Sequence, residues 1–330
     1  KGYHMNIERY TLSTAVVFPE RMEKRRRKGA RRRFKKSGTP TAVFSLLLTF
    51  PLVLLLLLSG PAPLAAQRVT ALMQGANGSV GLPLSPVFWT SGALSASKAH
   101  FTEGMSLPYR LEVTDLRPGA SYCVTIGWDT RRKGRAAIDF LTSYDRTGGH
   151  DAFGHPAELI DPLQGTTLDG WDLTPQFAPL PAPSAQAAPV PGQPAAAFEA
   201  LPAAERRLAI FNGRITGMRY VSEASLEEAD ATATLEVCFE WLPGGSAPPS
   251  VVLAWGGHFA AAADWGADAG AASIPGGTIK TFLVDCAGLA GCGTRSVSIQ
   301  PSAIASQSDC SISGPASICP GSEVVFSALG

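Results

Sequence analysis

The stretch Leu111-Glu-Val-Thr-Asp-Leu-Arg-Pro-Gly-Ala-Ser-Tyr-Cys-Val-Thr-Ile-Gly-Trp128 decides the fold class. On either side of Pro118-Gly119 the residues are β-branched, aromatic or alternately apolar. The segment therefore parses as strand, tight turn, strand. The same rhythm marks strands at 68–74, 109–114, 121–128, 136–142, 208–211, 214–221, 233–241, 250–255, 280–284 and 295–299. Asn77-Gly78 and Asn212-Gly213 read as two-residue hairpin turns, whose central positions favour positive φ. No convincing amphipathic helix interrupts this pattern. Hairpins imply antiparallel sheets, and such a sheet must bury one face against a partner. The expectation is an all-β fold, an antiparallel β-sandwich of Ig-like or jelly-roll-like type.

Charge divides the chain in two. Residues 1–66 hold 13 Lys/Arg against 3 Asp/Glu, whereas residues 67–330 hold 15 against 24. The basic excess between Lys24 and Lys36 precedes an uncharged run from Thr41 to Leu58, followed by Pro61 and the small residues before Gln67. Positive segment, apolar segment, break and small residues form the order of an export signal. Residues 22–66 are read as a signal peptide starting at Met22 and cleaved after Ala65 or Ala66. Residues 1–21 are read as upstream read-through. The alternative is an uncleaved signal anchor, and by the positive-inside rule it leaves the remainder on the same side of the membrane. A nucleic-acid role for the basic cluster is set aside because a hydrophobic segment follows it directly. The expected location is secreted or cell-surface, with membrane contact only through the signal segment.

All six cysteines, Cys123, Cys238, Cys286, Cys292, Cys310 and Cys319, follow that signal. An even number of cysteines in an oxidising compartment favours disulfides, and their spacings match no zinc-binding pattern. Proximity suggests two local bridges plus Cys123 to Cys238.

Residues 67–305 are assigned to the main domain. Residues 174–205 within it are rich in Pro and Ala and read as an extended surface insertion. Residues 306–330 are read as the start of a second module. The element Leu116-Arg-Pro-Gly-Ala-Ser-Tyr122 resembles the turn entering a late strand of fibronectin type III and other Ig-like sandwiches, where the Tyr ties down the corner. The C-terminal pattern of Gly314-Pro315 and Cys319-Pro320-Gly321-Ser322 resembles the opening of the PKD-like and Ig-like modules of large bacterial surface proteins. Trp128-Asp129-Thr130, residues 137–145 and residues 253–258 are similar to uncharacterised exported proteins that precede such modules. These resemblances imply an adhesive or structural role among cell-surface or extracellular macromolecules.

Catalytic motifs are sparse. Gly119-Ala-Ser121-Tyr-Cys123 lacks the second Gly of a nucleophile elbow, and no phosphate-binding glycine loop or His-Glu-x-x-His occurs. Asp129, Asp139 and Asp145 are candidate carboxylates for glycoside cleavage, with alternation turning Asp139 outward. Asp145, His150, Asp151, His155, Glu158 and Asp161 offer oxygen and imidazole ligands, calcium ahead of zinc, but they follow no metal-site spacing. A solvated loop without metal or cofactor is the expectation there. Trp255, His258, Asp264 and Trp265, with Asp268 nearby, read as a ledge on which a sugar ring could stack. The leading expectation is a non-catalytic adhesion or structural module. The alternative is an exported carbohydrate-binding module or carbohydrate-active enzyme.

Overall fold

The computed structural model describes residues 66–147, 150, 153–186, 189–293 and 295–306, together with the backbone of two short strands, Ser311–Ser313 and Ser327–Leu329, which pair antiparallel. The signal segment, Cys310, Cys319 and nearly all of the second module lie outside these residues. Among the described residues no helix is long and apolar enough to cross a membrane.

The first sheet contains β1 (Arg68–Ser79), β2 (Leu82–Thr90), β4 (Ser106–Thr114), β7 (Ile138–Thr142), β8 (Gln176–Pro179), β9 (Arg207–Phe211) and β12 (Val251–Phe259). Its order is β2-β1-β4-β12-β9-β8, with β7 also on β12. The second contains β5 (Ser121–Arg132), β6 (Arg135–Ala136), β10 (Gly213–Glu223), β11 (Ala231–Trp241), β13 (Ile279–Ala287) and β14 (Ser296–Ile299). Its order is β10-β11-β5-β13-β14, with β6 on β5. All pairings within both sheets are antiparallel. A short parallel pair joins β3 (Phe101–Thr102) to β15 (Ile304–Ala305).

Period-two alternation explains the sandwich. Leu107, Tyr109, Leu111 and Val113 on β4, with Leu253 and Trp255 on β12, share one buried cluster with Val124, Ile126 and Trp128 on β5 and with Leu235, Val237 and Phe239 on β11. Each set takes every second residue, so each strand gives one face to a common core. Removing this apolar area from water is the dominant favourable term in folding.

The intervening residues of the first sheet are buried too. Ala209, Phe211, Val252 and Ala254 pack with Leu163 and Leu168, so the 162–173 segment covers the opposite face. Arg110 holds that cover by donating from Nη1 to the Pro162 carbonyl at 3.0 Å and the Gln164 carbonyl at 2.5 Å, while Glu112 accepts the Thr167 N–H at 2.7 Å. Burial draws the Arg110 guanidinium down to about 10, with nearby Glu112, Asp161 and Asp169 opposing the shift.

The Pro118-Gly119 turn lies between β4 and β5, and the Tyr122 hydroxyl accepts the Arg117 N–H at 2.9 Å. Neither Asn-Gly pair makes a hairpin turn. The β1–β2 reversal falls at Val80-Gly81, because Asn77 is buried and bonds through its side chain to the backbone of His100. Asn212, at φ 60°, carries the chain from β9 in one sheet to β10 in the other, and its side chain bonds the Pro248 and Ser250 carbonyls. The Pro/Ala-rich segment is also more ordered than expected. It supplies edge strand β8 and a short helix, Ala195–Ala200, whose Phe198 joins the main core.

Cys123 and Cys238 occupy directly opposed positions on β5 and β11 and form a disulfide, and Cys286 bonds Cys292. Such bonds persist in oxidising compartments and are rare in the reducing cytosol, which places the weight on an extracytoplasmic environment.

Candidate functional site

The expected sugar ledge does not form. Trp255 is fully buried and Trp265 is 5% exposed, so neither indole offers a face to solvent. The reason is that β12 runs between β4, β7 and β9 and is buried along its whole length. Asp139 is likewise buried rather than outward, because the short helix Ala262–Trp265 lies over it. His258 Nδ1 and Asp139 Oδ1 are 2.7 Å apart, and Asp139 Oδ2 accepts the Trp265 indole N–H at 3.1 Å. A carboxylate accepting from Nδ1 holds an imidazole in one orientation. His258 also stacks on Phe140 at 4.3 Å between ring centroids.

His258 lines a cavity of about 370 Å³ with Glu103, Arg146, Leu201 and Asp264. Burial first, then the neighbouring Asp139, pushes the Asp264 carboxyl up, with His258 opposing. Of the other candidate carboxylates, Asp129 accepts the Lys280 N–H at 2.9 Å in a separate part of the second sheet, and Asp145 accepts from Ser143. Burial pushes the Asp129 carboxyl up, opposed by the Lys280 N–H and Arg132. Asp129, Asp139 and Asp145 therefore each serve a local hydrogen-bond arrangement.

A second polar centre lies where the loop after β7 meets the β1–β2 hairpin. His150, His155 and Glu158 converge there with His100. Glu158 Oε1 lies 3.1 Å from His100 Nε2 and 3.7 Å from His155 Nδ1, and Oε2 lies 3.2 Å from His150 Nε2. The three imidazole centroids are 4.9 to 5.4 Å apart, with Phe153 packed against them. His100, His150 and Glu158 are buried, and His155 is half-buried. One nitrogen or oxygen each from His100, His155 and Glu158 lies within 4.8 Å of the others.

Asp161 stands outside this cluster. Its side chain accepts the Leu163 N–H at 2.9 Å and its carbonyl accepts the Trp89 indole N–H at 2.8 Å. Asp145 also takes no part, and Asp151 lies outside the described residues. His100 was missed from sequence because it precedes β3, some fifty residues before the loop that completes the cluster. No local spacing links it to His150.

Compared with known protein families, curated proteins and solved structures, the chain finds no match.

Proposed function

We propose that this chain is a secreted or cell-surface β module with an adhesive or structural role, not a catalytic one. In this reading the main domain is an Ig-like or jelly-roll-like sandwich, and residues 306–330 begin a PKD-like or Ig-like module of a bacterial surface protein. Its partners are extracellular macromolecules, and nucleic acid is not among them.

The observation that carries the proposal is an apolar strip on edge strand β2. Leu82 is 77% exposed and Phe88 is 63% exposed, with Val80, Leu84 and Leu159 exposed beside them. Contiguous exposed apolar surface on a folded domain marks a contact site more often than chance. Pro83 and Pro86 lie on the same strand, and proline cannot donate to a further ladder. Contact is therefore made through side chains, with an extracellular protein as the occupant. The two disulfides support the location.

A second reading, an exported carbohydrate-binding module or carbohydrate-active enzyme, is favoured by the Asp139-oriented His258 at its cavity. The two are separated by passing the purified chain over immobilised extracellular-matrix proteins and over a glycan array. The adhesive reading expects retention on protein that is lost in Leu82→Ser/Phe88→Ser and kept in His258→Ala. Saccharide binding or bond cleavage lost in His258→Ala overturns it in favour of the second reading.

A further inference from the structure

We infer that His100, His155 and Glu158, with His150 beside them, form a binding site for a zinc ion, which staples the loop after β7 to the β1–β2 hairpin. The inference does not depend on the adhesive reading.

The first argument is one of hydrogen-bond bookkeeping. The Gly78 carbonyl lies 2.8 Å from His100 Nδ1, and the Pro156 carbonyl lies 2.9 Å from His155 Nδ1. A carbonyl only accepts, so each Nδ1 carries a proton, and in the neutral imidazole each Nε2 presents a lone pair. Both of those Nε2 atoms are buried without a hydrogen-bond partner, as is Glu158 Oε1. A lone-pair nitrogen of His100 thus faces a carboxylate oxygen at 3.1 Å in the protein interior. Two acceptors in that position repel unless a metal ion or a proton lies between them. Backbone carbonyls fixing the outer nitrogen of imidazoles are also the usual support of metal-bound histidines.

The second argument is one of size. Ligands about 2.0–2.1 Å from a tetrahedral zinc are ~3.3 Å from one another. Glu158 Oε1 lies 3.1 Å from His100 Nε2, and one ligand atom each of His100, His155 and Glu158 lies within 4.8 Å of the others, the spread of a site that closes on its ion. Two imidazoles and one carboxylate, with the His150 imidazole adjacent, are a nitrogen-rich set that suits zinc and neighbouring transition metals. Calcium, expected ahead of zinc from the sequence, takes oxygen ligands, and the oxygen donors Asp145 and Asp161 are engaged elsewhere.

His100 and Glu158 are buried and come from separate segments of the chain, which suits a structural ion. The elements it would join are already in register. Val87 N–H donates to the Leu159 carbonyl at 2.9 Å, Leu159 N–H to Ser85 Oγ at 3.0 Å, and Asn77 Nδ2 lies 3.4 Å from Glu158 Oε2. The ion would lock this seam, which also carries the exposed Leu159.

The test uses the full chain, dialysed against a chelator and then titrated with zinc chloride, with cobalt(II) as a spectroscopic stand-in. We expect about one equivalent of zinc bound per chain, a rise in Tm on zinc addition, and a tetrahedral cobalt(II) absorption band. Calcium should produce none of these. His155→Ala, at the least buried ligand, and Glu158→Gln should each weaken zinc binding at least ~100-fold, since even outer partners of metal ligands cost 10–100-fold. X-ray absorption of the zinc-loaded wild type should show a four-coordinate nitrogen and oxygen shell, and this reading needs no variant to fold. No zinc retention by the wild type, a sulfur-containing shell, or wild-type affinity in folded Glu158→Gln would each overturn the inference. In the first case the cluster is an imidazolium–carboxylate network instead.

Discussion

The backbone N–H of Arg117 donates to the phenolic oxygen of Tyr122 at 2.9 Å, closing the turn that leads from one sheet into the other. Tyr122 is buried in the main core, so its ring packs while its hydroxyl anchors the corner. Replacing it with Phe keeps the ring and leaves one N–H without that acceptor. Tyr122→Phe should destabilise the fold by about 1 kcal/mol. Urea unfolding measures this, and an unchanged midpoint would remove the corner from the account.

The Cys123–Cys238 disulfide spans 115 residues of sequence, whereas Cys286–Cys292 spans 6. In the chain-entropy model the longer closure contributes roughly 5 kcal/mol and the shorter roughly 2 kcal/mol. The Cys123→Ala/Cys238→Ala pair should therefore lose more stability than the Cys286→Ala/Cys292→Ala pair. Equal losses in denaturant unfolding would show that strand pairing already confines β5 against β11 in the unfolded ensemble.

Arg110 is buried, binds two carbonyls of the covering segment and stacks over Trp89 at 4.6 Å. Arg110→Ala removes charged donors and leaves those carbonyls without them. A loss of about 3 kcal/mol is expected, with amide exchange accelerated in residues 163–168 before the rest of the sheet. Uniform acceleration across both sheets would mean that the cover does not open separately.

Asp264 has a carboxyl that burial and Asp139 push above the ordinary range. A carboxyl that holds its proton more tightly folded than unfolded favours the folded state at low pH. That contribution disappears as pH rises from the unfolded value through the folded one. Asp264→Asn should flatten the fall in stability above about pH 4 and leave the variant slightly more stable at neutral pH. The side chain is only partly buried, so the gain should stay within about 0.5 kcal/mol. Parallel Tm-against-pH curves for the two proteins would count against it.

All ten strand positions marked by alternation are strands in the structure, differing mainly in where they end. Strand β2 was not marked, because Pro83 and Pro86 break the pattern and only an edge position tolerates them. Of the residues now gathered around Glu158, the sequence showed His150 and His155 as neighbours in one loop. It contained nothing to connect them with His100 or Asn77.

Alternation of apolar residues along the chain is a local property, and by itself it determined that this protein is built of antiparallel strands with one face inward. The tertiary structure alone decided that Trp255 and Trp265 are core rather than ledge, that Asp139 is buried against His258, and that three imidazoles enclose one carboxylate. Which side chains meet across a sandwich depends on sheet order and on how loops fold over the outer face. Those are set by the sum of many weak contacts between residues far apart in sequence, and no short stretch records them.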